Sequence, residues 1–245
     1  MIDTHAHLGV AEAGEILARA RDAGVNRAML VATSVAAAPD ALQIAHSEPG
    51  VAAILGIHPH ESGAATDADF AELRRLLTDE KAVGVGETGL DWFRDYATPE
   101  DQRRVFAAQL EIAADTGKPV IIHTRAADDD TLAMLRPHTG DVILHCFSSP
   151  AMLPDAIERG WYVSFAGNVT YKNAYELRAA ARAVPADRIL AETDCPYLAP
   201  QAMRGQTNEP AYVMHTLTAL AEARGEEPAA LEAQIEANAA RVFAL

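Results

Sequence analysis

The feature that most restricts the fold of this chain is an alternation. Eight short apolar runs, "MIDTHAHL", "NRAMLVATS", "VAAILGIHPH", "KAVGVGETGLD", "KPVIIHTR", "DVILHCF", "GWYVSFAGN" and "DRILAETD", are separated by longer stretches of helical spacing. Runs of this length suit buried strands. Two of the intervening stretches, "EAGEILARARDAG" and "PEDQRRVFAAQLEIAADTG", end in Gly, a common helix stop. "TPED" gives the second a start, with Thr98 as cap and Pro99 in the first turn. Eight strand–helix units in series predict an α/β fold, a (β/α)8 TIM barrel forming a single domain over residues 1–245. A doubly wound sheet is the alternative, but no GxGxxG follows the first run. The longest irregular segment, "PYLAPQAMRGQTNEP", follows the eighth run, and helical patterns from Pro210 to Leu245 close the chain.

A hydrophobic fraction of 49% supplies a core for one barrel. No run of 18 or more apolar residues is present, and no basic stretch leads into an apolar one at the start. We therefore expect a cytoplasmic protein with no membrane association; a monomer is the working expectation, which no sequence feature decides. Cys146 and Cys195 are too few for a disulfide scaffold and read as reduced, buried thiols. Each directly follows a candidate ligand, His145 or Asp194. Adjacent strand residues point to opposite faces, so neither thiol is expected at the same site. The formal net charge of -15 predicts weak, salt-sensitive contact with any polyanion, carried by a local patch of positive charge.

Polar side chains gather at the C-terminal ends of the runs, the end at which barrel active sites lie. These are His5 and His7, His58 and His60, Glu87 and Asp91, His123 and Arg125, His145, and Glu192 and Asp194. On a strand, Asp3, His5 and His7 would share one face. Inward polar groups are desolvated and need partners, and a metal is one such partner. Imidazole with carboxylate suits Zn, Mn, Fe or Co better than an all-oxygen calcium site. The count suggests two ions, one on His5, His7 and Asp194 and a second on His123 and His145, with Glu87 between them. Asp194 is also placed to take a proton from water. Glu192 shares its parity and could orient a ligand histidine or form a structural ion pair. His46, His138 and His215 lie in helical or loop patterns and read as ordinary structural histidines.

With these residues in view, the chain resembles the TatD family of metal-dependent deoxyribonucleases, within the amidohydrolase-like barrel superfamily. The resemblance runs through "DTHAHL", "GIHPH", "GETGLDWF", "QRRVFAAQLEIAADTGKPVIIHTR", "LHCFSS", "ETDCPYLAP" and "RGQTNEP", in family order. It implies a TIM barrel, two divalent metal ions drawn from Zn, Mg and Mn, and phosphodiester hydrolysis. It implies metal ligands at His5, His7, Glu87, His123, His145 and Asp194. His58 corresponds to a residue acting near the substrate. Ser149 stands where Gly is more usual, and "DWF" replaces a tyrosine-containing version.

The expected activity is a deoxyribonuclease acting on single-stranded DNA from 3′ ends, with Asp194, Glu87 and His58 as catalytic residues. Arg125, with Arg94 and Arg204, would meet phosphate oxygens, and Trp92, Phe93 and Tyr197 would stack on bases. The alternative is a metal-dependent amidohydrolase or esterase on a small C–N or C–O substrate. Related amidohydrolases often bridge their metals with a modified lysine after the fourth strand. Here Glu87 takes that place, and Lys81, Lys118 and Lys172 do not end that strand.

Overall fold

The computed structural model describes residues 1–245. The eight expected runs each contain one strand: β1 Ile2–Ala6, β2 Arg27–Ala32, β3 Val51–Leu55, β4 Ala82–Asp91, β5 Val120–Arg125, β6 Val142–Leu144, β7 Tyr162–Phe165 and β8 Ile189–Ala191. They form one parallel sheet in sequence order. Seven helices cross between successive strands: α1 Val10–Asp22, α2 Ala38–Ser47, α3 Asp67–Leu76, α4 Pro99–Thr116, α5 Asp128–Leu135, α6 Leu153–Arg159 and α7 Tyr175–Ala183. Two more, α8 Val213–Arg224 and α9 Pro228–Phe243, follow β8. A parallel sheet wound in strict order, with a helix at every crossover, is the barrel expected from the alternation. None of the helices is long and apolar enough to cross a membrane.

Between β8 and β1 the sheet closes through a few backbone bonds at its C-terminal end. Ala6 pairs with Cys195 in a parallel bridge. The His7 amide donates to the Cys195 carbonyl at 2.8 Å, and the Asp194 amide donates to the His5 carbonyl at 2.9 Å. This seam therefore runs through the residues singled out as ligands. The interior is filled by side chains, with 65 buried apolar residues fused into one cluster, so any chemistry is confined to the mouth.

α4 shows how the sequence builds a wall behind that mouth. Thr98 caps it by accepting from the Asp101 amide, Pro99 occupies the first turn, and Gly117 ends it in the left-handed region at φ 67°. Its buried stripe carries Gln102 and Gln109 among Val105, Phe106, Leu110 and Ala113. Seven residues is close to two helical turns, so both amides face the barrel. Gln102 accepts from the Asp91 amide at 2.8 Å and donates to the Asp91 carbonyl at 3.1 Å. Gln109 accepts from the Ile57 amide at 2.8 Å and donates to the Ile57 carbonyl at 2.9 Å and to the Thr88 hydroxyl at 2.7 Å. The ends of β3 and β4 are fixed in place by these two side chains.

Candidate metal centre

Glu87 lies at the middle of the mouth, buried on β4. Its strand passes so close to β5 that a Cβ at Gly89 would overlap the carbonyl oxygen of His123, and Gly89 has φ 143°. Only glycine fits there, and the close approach brings Glu87 onto His123. The two carboxylate oxygens of Glu87 face different groups. Oε1 is 2.6 Å from His123 Nδ1, 3.1 Å from His145 Nε2 and 3.4 Å from His58 Nε2. Oε2 is 3.5 Å from His5 Nε2 and 3.9 Å from His7 Nε2.

The second group is completed across the seam. His5 Nε2 and His7 Nε2 are 3.3 Å apart, and His7 Nε2 is 3.6 Å from Asp194 Oδ1. Donors about 2.1 Å from a common tetrahedral ion are themselves about 3.4 Å apart, so these spacings suit a shared cation. The donor chemistry also fits. His5 is fully buried, and its Nδ1 has no hydrogen-bond partner. His7 Nδ1 lies 3.1 Å from the Val31 carbonyl and donates to it, which leaves the lone pair of Nε2 facing Asp194 and Glu87. His145 Nδ1 sits 2.7 Å from Glu192 Oε1, and its Nε2 is turned to Glu87. Glu192 thus forms an ion pair with His145, which fits both roles expected for it, and also accepts from the Cys146 amide at 2.7 Å.

His58 differs from the other histidines. Its Nδ1 accepts from the His60 amide at 3.1 Å, so the proton of the neutral ring is on Nε2, aimed at Glu87. In this tautomer His58 is a hydrogen-bond donor rather than a lone-pair ligand.

Charges are strongly coupled here. Burial opposes ionisation of Glu87, but the charge of His145 and hydrogen bonds from His123 and His145 hold its carboxyl well below the usual range. Burial also opposes the His123 imidazolium, yet Asp91 and Glu87 raise its pKa to about 8. His145 is likewise raised, by Glu192 and Glu87 against its own burial. His5 moves the other way, lowered by burial and by the charge of His145. Burial opposes the charge of Asp194, but His7, 3.6 Å away, and the charge of His145 hold its carboxyl below the usual range.

Several residues take positions that strand parity did not give. Asp3 is fully buried below the site and accepts from the Thr193 amide at 2.8 Å and the Thr193 hydroxyl at 2.5 Å. It braces the segment before Asp194 instead of lining the centre with His5 and His7. Burial raises its pKa to about 8. Cys146 was expected to be buried and to face away from the centre. β6 ends at Leu144, and Cys146 turns into the left-handed region at φ 45°. It is half-buried, with Sγ within 4.8 Å of ligand-type atoms of His145 and Glu192. Cys195 is buried, as expected, and both cysteines are free.

Asp91 and His60 lie at strand ends in the sequence, but their pairing was not foreseen. Asp91 Oδ2 is 2.8 Å from His60 Nε2 and 3.3 Å from His123 Nε2, and Oδ1 accepts from the amides of Phe93 and Arg94. Burial opposes its charge, but those hydrogen bonds keep its carboxyl far below the usual range. The spacing of Glu87 and Asp91, four residues apart on one strand, was the available signal.

Trp92 is not presented for stacking. It packs against the core, donates to Asp130 at 3.0 Å and lies under Arg103. Phe93 and Tyr197 are exposed on mouth loops, at 59% and 63%, and Tyr197 lies 6.3 Å from the His7 ring. Arg125 lies over the Phe93 ring at 3.8 Å and Arg94 over the same ring at 5.3 Å, while Arg204 lies over Tyr171 at 4.9 Å. His46 pairs with Asp79 on the surface, remote from the centre.

A closed parallel barrel with histidine and carboxylate donors converging at its C-terminal mouth defines a metal-dependent hydrolase of the barrel class. The chain belongs to the family described as TatD related DNase, whose model matches residues 2–244. It is 39% identical to an uncharacterized metal-dependent hydrolase TatD of Mycobacterium tuberculosis, across all of this chain and 98% of that protein. It is 38% identical to a 3′-5′ ssDNA/RNA exonuclease TatD of Cronobacter sakazakii, across 94% of this chain and 90% of that one. The crystal structure of YJJV, a TatD homologue from Escherichia coli, superposes with a TM-score of 0.93 at 28% identity, covering 100% of this chain and 98% of the other.

Proposed function

We propose that this protein hydrolyses phosphodiester bonds of single-stranded DNA from 3′ ends, using two divalent cations held on either side of Glu87. His5, His7 and Asp194 would hold one cation, and His123 and His145 the other, with Glu87 available to both. Zn, Mg and Mn are the candidates. When bound, such cations polarise a phosphoryl oxygen and make water more acidic.

The chain's own groups supply the rest. Asp194 Oδ1 faces His7, which leaves its second oxygen to accept a proton from the attacking water. His58 Nε2–H donates toward the oxygens of the bound phosphodiester. Asp91 holds His60 and His123 in position. Arg94 and Arg125 meet the phosphates around the scissile one, and Phe93, Tyr96 and Tyr197, all exposed on mouth loops, offer faces to bases. A monomer in the cytoplasm is sufficient for this chemistry.

The observation that carries the substrate class is the state of the mouth arginines. In a chain of 35 acidic and 20 basic residues, Arg94, Arg125 and Arg204 each lie over an aromatic ring and none is paired with a carboxylate. Small amide or ester substrates require no such set. Similarity to the Cronobacter exonuclease supports the same reading.

The test is hydrolysis by metal-reconstituted protein of matched single- and double-stranded oligonucleotides over a salt series, beside a panel of small esters and amides. A stiff duplex cannot lower one phosphate into a barrel mouth, so we expect single strands to be cleaved well above blunt duplex. The salt slope should be shallow because few side chains neutralise phosphates. Equal rates on both forms, or turnover of the small substrates alone, would overturn the proposal.

A further inference from the structure

Beside the centre, the loops after β6 and β7 enclose a cleft of about 440 Å³, lined by Ser148, Asn168, Tyr171, Asn173 and Tyr175 among others. Its lining residues follow β6 and β7, so it lies at the C-terminal face of the barrel, where the candidate metal centre also lies. Nothing described so far uses it.

Three features of the cleft point to one kind of ligand. The first is Tyr175, 72% exposed, the most exposed of the large apolar side chains. Its ring is backed by the Arg178 guanidinium at 5.1 Å, and Arg178 is itself tied to the carbonyls of Val169 and Tyr171 at 3.1 and 2.8 Å. An aromatic face held on a braced support is a stacking platform. The second is Asn168. Asn168 lines the cleft, and its Oδ1 is buried without a hydrogen-bond partner, so no internal bond fixes the amide and it can turn either end toward a ligand. A side-chain amide offers a donor beside an acceptor, the arrangement that matches the polar edge of a nucleobase. The third is Arg204, which lies over the ring of the lining residue Tyr171 at 4.9 Å and brings positive charge to the edge of the cleft, a charge suited to a phosphate.

We propose that this cleft is a nucleobase subsite, which takes an unstacked base flanking the scissile phosphate, with its face on Tyr175 and its polar edge on Asn168. The proposal rests on the phosphodiester reading. It adds that the enzyme senses whether a base is present at one defined position, in addition to the sugar–phosphate backbone.

The experiment uses oligonucleotides that differ by a single abasic nucleotide, placed on either side of the terminal phosphodiester. The abasic-to-normal ratio is read as KM in the active protein and as Kd by fluorescence anisotropy in an Asp194→Asn background. In the parent we expect a ratio of about ten at one of the two positions, in keeping with the loss of one stacked base. Tyr175→Ala should bring that ratio close to one, by weakening the normal strand and leaving the abasic strand no weaker. Asn168→Ala should reduce it and change the order of preference among the four bases. A parent that binds and cleaves normal and abasic strands alike would overturn the proposal. So would variants that keep the parent's ratio, since the base would then be read elsewhere. A parent that cleaves no oligonucleotide but turns over small esters would instead overturn the phosphodiester reading, and the subsite with it.

Discussion

The amide of Asp194 donates to the carbonyl oxygen of His5 at 2.9 Å, so a bond that closes the barrel also sets the spacing of two candidate ligands. Asp194 adopts φ 56°, a left-handed conformation that Asp and Asn tolerate better than most residues. Asp194→Asn therefore keeps both the backbone bond and the conformation while removing the negative charge. We expect an unchanged circular dichroism spectrum and a loss of turnover of at least 10²–10⁴-fold, roughly the scale of one general base. A folded, metallated variant with near-parental rate on single-stranded DNA would show that Asp194 takes no proton.

With His123 and His145 as proposed ligands, metal binding is expected to release protons. His123 has its pKa at about 8, and His145 is also raised, so both rings carry protons near neutral pH in the metal-free protein. Ligand histidines must be neutral, so loading displaces those protons. Calorimetric titration in buffers of different ionisation enthalpy should report release at pH 7 that shrinks toward pH 9.

The same shift fixes the pH dependence of the metal-free fold. An unfolded histidine titrates near 6.5 and folded His123 at about 8, so the folded state holds the proton more tightly. That stabilisation is complete below about 6.5 and is lost as pH rises through 8. The melting temperature of the metal-free protein should fall across this window. The metal-loaded protein, whose proton has been displaced, should show a flatter profile. A metal-free protein that gained stability over the same range would contradict the assignment.

Gln109 is buried on α4 and satisfies both the amide and the carbonyl of Ile57, next to His58. Gln109→Leu fills the space but leaves two backbone groups unpaired, at a cost of about 1–3 kcal/mol for each buried group left unsatisfied. Chemical denaturation should show that loss. The kcat should fall with it, because Ile57 anchors the turn that orients His58.

Much of this centre was legible from β1, β4 and the strand ends, because a barrel converts distance along the chain into a shared mouth. Strand order is enough to send the candidate ligands His5, His7, Glu87, His123, His145 and Asp194 to one mouth, but not to aim those that lie past a strand end. The remainder depended on where strands stop. β6 and β8 end at Leu144 and Ala191, so parity no longer governs Cys146, and Asp194 is aimed by its turn. Depth was also invisible: Asp3 shares the parity of His5 but sits a layer lower, against Thr193. The tautomer of His58 depends on the His60 amide, and the burial of Trp92 on Asp130 and the core, contacts that no local pattern encodes.

The most direct measurement is the metal content of the protein at saturation. Glu87 turns Oε1 to His123 and His145 and Oε2 to His5 and His7, so two equivalents of divalent metal per chain are expected by elemental analysis. His5→Ala should retain one equivalent, held by His123 and His145. A parent protein that saturates at a single equivalent would contradict a centre divided across Glu87.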